Sequence, residues 1–201
     1  VCSGGTGYSF SVAAVANATS YKWNYSGTGV TVNGTDGTVT LDFASNATSG
    51  NLTVQGTNGC ADGVISAPFA VTVNASPSAT IAPASPVVCS GAQLNMSGQP
   101  TGGSGGYSHA WSGVGAGSLN NVSIVNPLFA NAAAGDYELI YTVTDSKGCV
   151  GTAVTNVHVN PAPVANAGPD AIGICTGTAQ ITMSGASAGG SYSGTPTWSG
   201  T

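Results

Sequence analysis

Charged residues are scarce in this sequence. Lys and Arg number two and Asp and Glu seven, so charged residues make up 4% of the 201 positions, against about 25% in an average soluble protein. The two basic residues are Lys22 and Lys147, and the net charge is −5. Nucleic-acid binding needs clustered Lys and Arg to displace counterions, and attraction to an anionic membrane surface needs a polybasic segment. The sequence therefore predicts neither partner.

Long apolar runs and helical patterns are also lacking. No apolar run approaches the roughly 20 residues of a membrane span, and no amphipathic helix of useful length is present. The first residues, Val1-Cys2-Ser3, do not form a signal peptide, so we expect an internal or processed segment. What is abundant is Gly (31 residues) and Pro (10 residues), together with Ser, Thr and Asn, which favour turns and polar strand faces.

A repeat organises the chain. Cys2-Ser3-Gly4 recurs as Cys89-Ser90-Gly91 and, altered, as Cys175-Thr176-Gly177, at intervals of 87 and 86 residues. A Trp follows each of these cysteines by 21 to 23 residues, and the first two repeats then reach a Gly-Cys pair and close on a strand that ends in Asn. Self-similarity at a fixed period indicates tandem structural units. The remaining landmarks are Trp23, Trp111 and Trp198; Gly59-Cys60 and Gly148-Cys149; Asn74 and Asn160.

Within each unit the apolar pattern has period two. Tyr137, Leu139, Tyr141 and Val143 alternate with polar or outward residues, as strands require. Short strands separated by Gly, Asn, Asp and Pro clusters predict an all-β chain of immunoglobulin-like β-sandwiches joined end to end. The predicted domains are residues 1–74, which lack a first strand, residues 75–160, and residues 161–201 as the N-terminal part of a third repeat. Each Trp is predicted to be the core aromatic of its unit.

The cysteines are predicted to pair within units. Cys2 and Cys60 are 58 residues apart, Cys89 and Cys149 are 60 apart, and Cys175 has no partner in this segment. Matched separations in a charge-poor repeat indicate disulfides formed in an oxidising compartment. Free buried thiols are the alternative interpretation, and a metal site is disfavoured because no Cys-x-x-Cys or paired His accompanies the cysteines.

Several segments resemble a known family. Tyr8–Val12, Val15–Trp23 and Thr57–Cys60 are similar to the PKD-like domains of secreted Bacteroidota proteins, and Gly135–Tyr137 with Tyr141–Asp145 resembles a second PKD or immunoglobulin-like subtype. Asn166–Asp170 resembles the opening of a further unit. The resemblance implies tandem PKD-like units of giant adhesins, gliding-motility adhesins and other extracellular surface proteins, often exported by the type IX system. In some secreted hydrolases such units are spacers.

No catalytic constellation is expected. A hydrolase needs a nucleophile, a base and an orienting acid, and only His109 and His158 could act as base. His158 is predicted to point outward from a closing strand and His109 to share the face of Trp111. Asp136 and Glu138 share a strand face, but nothing in the sequence suggests the cleft that two glycosidase carboxylates need.

No cofactor is predicted, with calcium as the alternative at Asp145 or Asp170, since calcium takes oxygen ligands. Isolated carboxylates beside Gly are better explained as turn caps. The predicted function is a non-catalytic stalk or filament segment of a cell-surface adhesin. Its partners would be neighbouring repeats of the same chain and other copies in a filament. A carbohydrate- or protein-binding module set, whose ligand would be a surface polysaccharide or protein, and a spacer in a secreted hydrolase are the alternatives.

Overall fold

A computed structural model describes residues 1–130, 133–166 and 187–189 of the chain. These residues form strands, turns and a single 3₁₀ turn at Ala116–Ser118, and the described ranges contain no α-helix. None of their elements is a helix with the length and apolarity that a membrane crossing requires. Cys175, Asp170 and Trp198 lie outside the described residues, so the predictions made for them remain predictions.

Sixteen strands follow one another along the described residues. Those before residue 74 are β1 (Tyr8–Ser11), β2 (Ser20–Tyr25), β3 (Val30–Asn33), β4 (Thr38–Phe43), β5 (Gly50–Thr57) and β6 (Phe69–Val71). Those that follow are β7 (Pro77–Ala82), β8 (Val87–Cys89), β9 (Gln93–Asn95), β10 (Ser97–Gly102), β11 (Ser108–Ser112), β12 (Leu128–Ala130), β13 (Gly135–Thr144), β14 (Val150–Asn160), β15 (Val164–Asn166) and β16 (Ser187–Gly189).

Residues 1–74, called unit one below, form two three-stranded sheets. One has the order β1-β4-β3 and the other β2-β5-β6, with antiparallel neighbours in both. Alternate residues of β4 and β5 point inward, because successive side chains of a strand face opposite sides. The enclosed hydrophobic cluster contains Val39, Leu41, Phe43, Leu52 and Val71.

Residues 77–160, called unit two, enclose a second cluster. The unit consists of a four-stranded sheet of order β11-β13-β14-β8 and two two-stranded sheets, β10-β7 and β12-β9. The predicted alternation of β13 is confirmed, since Leu139, Tyr141 and Val143 are fully buried. The other buried members are Ile81, Met96, Trp111, Phe129, Val157 and Val159. The chain is thus all-β and immunoglobulin-like, while the predicted domain boundaries stay a prediction.

The two units place their tryptophans in the same way. Trp23 on β2 pairs with Val54 on β5, and Trp111 on β11 pairs with Tyr141 on β13. Each indole N–H donates to a backbone carbonyl, of Asp36 or of Ile124, at 2.9 Å. Trp111 is 3% exposed, as predicted for a core residue, whereas Trp23 is half-buried at the edge of its cluster.

Candidate functional site

One disulfide joins the two units. Cys2 is bonded to Cys149, with a Cα–Cα distance of 5.5 Å and a sequence separation of 147 residues. Cys60 and Cys89 are free and exposed. The predicted pairs Cys2–Cys60 and Cys89–Cys149 are therefore wrong, and the actual bond, called the joint disulfide below, bridges the connection between unit one and unit two.

The strands explain why pairing within a unit fails. In unit two, Cys89 lies opposite Asn160, where β14 ends, and Cys149 precedes Val150, where β14 begins. Eleven residues of strand at about 3.3 Å each hold these cysteines about 35 Å apart, and a disulfide needs Cα atoms within about 7 Å.

Unit one has the same arrangement. Cys2 bridges Asn74 at the closing end of the unit. Strand β5 starts near that end, since Gly50 pairs with Val71, and its eight residues carry the chain about 25 Å away before Cys60 is reached. Each unit therefore has one cysteine at either end.

Hydrogen bonds fix the short connection that the joint disulfide spans. The connection consists of Ala75 and Ser76, between Asn74 and Pro77. The Ser76 backbone N–H donates to Ser3 Oγ at 3.0 Å, and Ser76 Oγ donates to the Ser3 carbonyl at 2.7 Å. Ser3 N–H in turn donates to the Asn74 carbonyl at 2.8 Å. The residue next to Cys2 thus holds the connection to the edge of unit one.

On the other side, the start of β14, directly after Cys149, packs against the first residue of unit two. A Cβ added to Gly151 would lie 2.2 Å from the Pro77 carbonyl oxygen, so only glycine permits this approach. Cys149 is fully buried. The joint disulfide therefore connects two turns that the backbone already brings together.

Asp145 shapes the turn before Cys149. Its Oδ1 accepts from the N–H groups of Lys147 and Cys149 at 2.9 Å each, and its Oδ2 accepts from Ser104 N–H at 2.8 Å. The Ser104 bond is the largest cause that holds the pKa of Asp145 below its ordinary 3.8, with the other two bonds and nearby Lys147 acting in the same direction. This is the turn-cap role that sequence reasoning set against calcium binding.

The histidines are held by other side chains. His109 Nδ1 lies 2.8 Å from the buried Tyr141 hydroxyl, whose pKa is raised mainly by burial. His158 points outward from β14, as predicted, and its Nδ1 lies 2.6 Å from Asp136 Oδ1, a contact that raises the pKa of His158. Among the residues described, no group of three His, Cys, Asp or Glu side chains could hold a metal ion. The predictions of no cofactor and no catalysis stay predictions.

An apolar groove opens on unit one. It has a volume of about 230 Å³ and is lined chiefly by Phe10, Trp23, Leu52, Val54 and Phe69. Phe69 is 61% exposed at its edge, and its ring contacts Phe10 edge-on at 6.2 Å between centroids. Sequence reasoning did not find the groove, since these residues all fit a core pattern.

Unit two shows what can occupy such a groove. There β7 packs across β13 and β14, and Ile81 joins the buried cluster of Trp111 and Tyr141. Ile81 pairs with Gly98, at which an added Cβ would lie 2.3 Å from the Tyr141 ring. No strand among the described residues packs over the Trp23–Val54 pair in this way, which accounts for the exposure of Trp23.

Similarity to known proteins is limited to part of the chain. A family model described as a PKD-like domain matches residues 1–71. No curated protein matches the sequence. None of the comparisons supports the predicted Bacteroidota origin or type IX export, which stay predictions.

Three solved structures illustrate the similarity. The four N-terminal Ig domains of Dscam1 isoform 8.4 are 19% identical over 79% of this chain and 42% of that chain, with a TM-score of 0.33. Fibronectin(III)-like modules of Clostridium thermocellum CbhA are 12% identical over 80% and 88%, with a TM-score of 0.33. Three N-terminal domains of the bacteriophage RB49 Highly Immunogenic Outer Capsid protein are 18% identical over 80% and 56%, with a TM-score of 0.37. The chain spans less than half the length of the Dscam1 structure.

Proposed function

We propose that the chain is a non-catalytic structural segment of an extracellular cell-surface adhesin, in which consecutive units are locked in line to form a stiff shaft. The joint disulfide is the observation that supports this proposal most directly. A connection of two residues, Ala75 and Ser76, already limits the hinge between the units, and a covalent bond beside it supplies a second point of attachment. Two attachment points restrict bending far more than one.

The charge-poor surface fits the same role. The described residues contain two salt bridges, Lys22–Asp62 and His158–Asp136, and the remaining surface is dominated by Ser, Thr, Asn and Gly. Such a surface offers no strong electrostatic attraction to an oppositely charged partner. A disulfide also requires an oxidising compartment to form and persist, which supports an extracellular location.

A distance measurement between the units tests the shaft. With Cys175 replaced by alanine, one spin label is attached to the free thiol of Cys60 in unit one and one to that of Cys89 in unit two. Double electron–electron resonance should give one narrow distribution of distances between the labels while the joint disulfide is intact. The same labels in a Cys2→Ser/Cys149→Ser variant should give a broad distribution. Equally broad distributions in both proteins would contradict the shaft.

Trypsin provides a second test. The chain contains two lysines, Lys22 and Lys147, and no arginine. Both cleavage sites lie between Cys2 and Cys149, so a single cut at either lysine should leave one covalent species. Cuts at both should release residues 23–147, while residues 1–22 stay bonded to residues 148–201 until a reductant is added. Lys22 is further protected because it lies in β2, pairs with Gln55 of β5 and binds Asp62 at 2.6 Å. Recovery of residues 1–22 free of residues 148–201 under non-reducing conditions would show that the joint disulfide is absent in solution.

A further inference from the structure

Two cysteines remain unbonded, and each corresponds to a cysteine that is bonded. Cys89 begins the second Cys-Ser-Gly motif as Cys2 begins the first, and Cys60 ends the first Gly-Cys pair as Cys149 ends the second. The joint disulfide connects a Cys-Ser-Gly cysteine with the Gly-Cys cysteine of the next unit. Both unbonded cysteines are exposed, so a partner from outside the two units can reach them.

Cys89 is held as Cys2 is held. Cys2 forms a parallel bridge with Asn74, and Cys89 pairs in parallel with Asn160. The following serine N–H donates to the asparagine carbonyl at 2.8 Å in both units. Gly4 and Gly91 then turn the chain with φ values of +76° and +81°. The backbone around Cys89, at the outer end of unit two, therefore has the same hydrogen bonding and turn as the backbone around the bonded Cys2.

Cys60 is likewise presented as Cys149 is presented. In unit one the Asn58 side-chain oxygen accepts from Cys60 N–H at 2.9 Å and from Ala61 N–H at 3.1 Å. In unit two the oxygen of Asp145 accepts from Cys149 N–H, also at 2.9 Å. An Asx cap immediately after a long strand positions the cysteine in both cases.

We infer that Cys89 and Cys60 are the open halves of two more joint disulfides. Cys89 bonds the Gly-Cys cysteine of a unit placed after unit two, and Cys60 bonds the Cys-Ser-Gly cysteine of a unit placed before unit one. They cannot bond each other within one chain, because they lie at the opposite outer ends of the two units. Between two copies of this chain the matching pair is Cys89 of one copy and Cys60 of the other.

The bond forms by thiol–disulfide exchange with a small-molecule disulfide such as oxidised glutathione. The Cys89 thiolate attacks one sulfur of glutathione disulfide, which releases one glutathione thiolate and leaves a mixed disulfide. The Cys60 thiolate of the partner then attacks the Cys89 sulfur and releases the second glutathione thiolate. Two protein thiols lose two electrons and two protons in total, and one glutathione disulfide becomes two glutathione thiols.

Mixing two complementary variants tests the pairing. All chains carry Cys175→Ala; one set adds Cys60→Ser and the other Cys89→Ser, and the two are mixed at equal concentration with glutathione disulfide. Distinct mass tags separate the products. Selective pairing should make the mixed dimer at least ten times as abundant as either homodimer, with Cys60–Cys89 as its mapped bond. The ratio of one to two to one expected from random collision of exposed thiols would overturn the inference.

The turn at Asn58 provides a matched control that leaves both thiols in place. Asn58→Ala removes the cap on Cys60 and should slow formation of the mixed dimer several-fold, and Asn58→Asp, the residue type found in unit two, should restore it. Unchanged rates in Asn58→Ala would show that the thiol reacts without being positioned. The inference deepens the proposed shaft, yet the two can fail separately, since the labelling distances test stiffness within one chain and the dimer ratio tests selectivity between chains.

Discussion

Removal of the joint disulfide should uncouple the unfolding of the two units. The change is the double substitution Cys2→Ser/Cys149→Ser, compared with a parent chain in which Cys60, Cys89 and Cys175 are already serine so that no other disulfide can form. With the bond intact we expect a single cooperative transition. Without it we expect two transitions at lower temperature.

The magnitude follows from the loops that the bond closes. If unit two unfolds alone, Cys2 stays beside the connection, and the loop from Pro77 to Cys149 holds about 70 residues, which the chain-entropy relation makes worth about 4.4 kcal/mol. If unit one unfolds alone, the disulfide closes a loop of similar length, from Cys2 to Pro77, and its contribution is about the same. When both are unfolded the closed loop has the full separation of 147 residues, worth only about 5 kcal/mol in total.

The disulfide's contributions to unfolding each unit alone therefore sum to nearly twice its contribution to unfolding both units together. The difference, about 4 kcal/mol, is a coupling free energy that disfavours chains with one unit folded by about a thousandfold. The parent transition unfolds both units, about 150 residues, for which each kcal/mol shifts the midpoint by about 2–4 °C, so loss of the roughly 5 kcal/mol should lower the first transition of the double variant by roughly 10–20 °C.

Differential scanning calorimetry measures both effects. The parent should give a calorimetric enthalpy equal to its van't Hoff enthalpy, the sign of a two-state transition, and the double variant should give a ratio near two. Adding a reductant to the parent should reproduce the double variant. A double variant that unfolds in one transition at an unchanged midpoint would refute the argument that the bond constrains both units.

The remaining predictions concern three side chains. Trp111→Ala should lower the free energy of unfolding of unit two by about 3–5 kcal/mol, as loss of a buried aromatic does. Trp23→Ala should lower that of unit one by about half as much, because its ring faces the groove. Urea denaturation of both in the Cys2→Ser/Cys149→Ser variant measures the losses, and equal losses would contradict the packing described. Asp145 contributes stability above its ordinary pKa of 3.8 that is lost as the pH falls through its lower folded pKa. Asp145→Asn should therefore lower the thermal midpoint at pH 7, and the difference in midpoint from the parent should narrow as the pH falls below 3.8. A difference that stays constant with pH would exclude the carboxylate as the cause.

The sequence predicted the fold better than the disulfide. Alternation in β13 and the recurrence of the tryptophans each report on local structure, and local structure follows period two. The burial of Leu139, Tyr141 and Val143 could therefore be predicted.

Pairing of the cysteines depends on which end of a unit each one occupies. Repeat periodicity leaves that open, because Cys60 and Cys149 are equivalent positions of the repeat and it does not say which of them Cys2 bonds. The length of β14, eleven residues between Cys149 and the Asn160 that faces Cys89, is the signal that could have excluded pairing within a unit. The groove was missed for a different reason: the apolar pattern of a strand does not reveal whether a further strand covers it.

The joint disulfide also decides how tension would travel through the molecule. While Cys60 and Cys89 are unbonded, a force applied at Val1 enters at Cys2, crosses the sulfur bridge to Cys149 and leaves along β14, so the 146 residues between Cys2 and Cys149 lie outside the mechanical path. Fully extended at about 3.5 Å per residue, those residues represent about 500 Å of hidden length. While the bond is intact this length stays withheld even if both units unfold, and reduction alone would release it. The oxidation state of one disulfide thus sets whether the segment behaves as an inextensible tether or as a long elastic one.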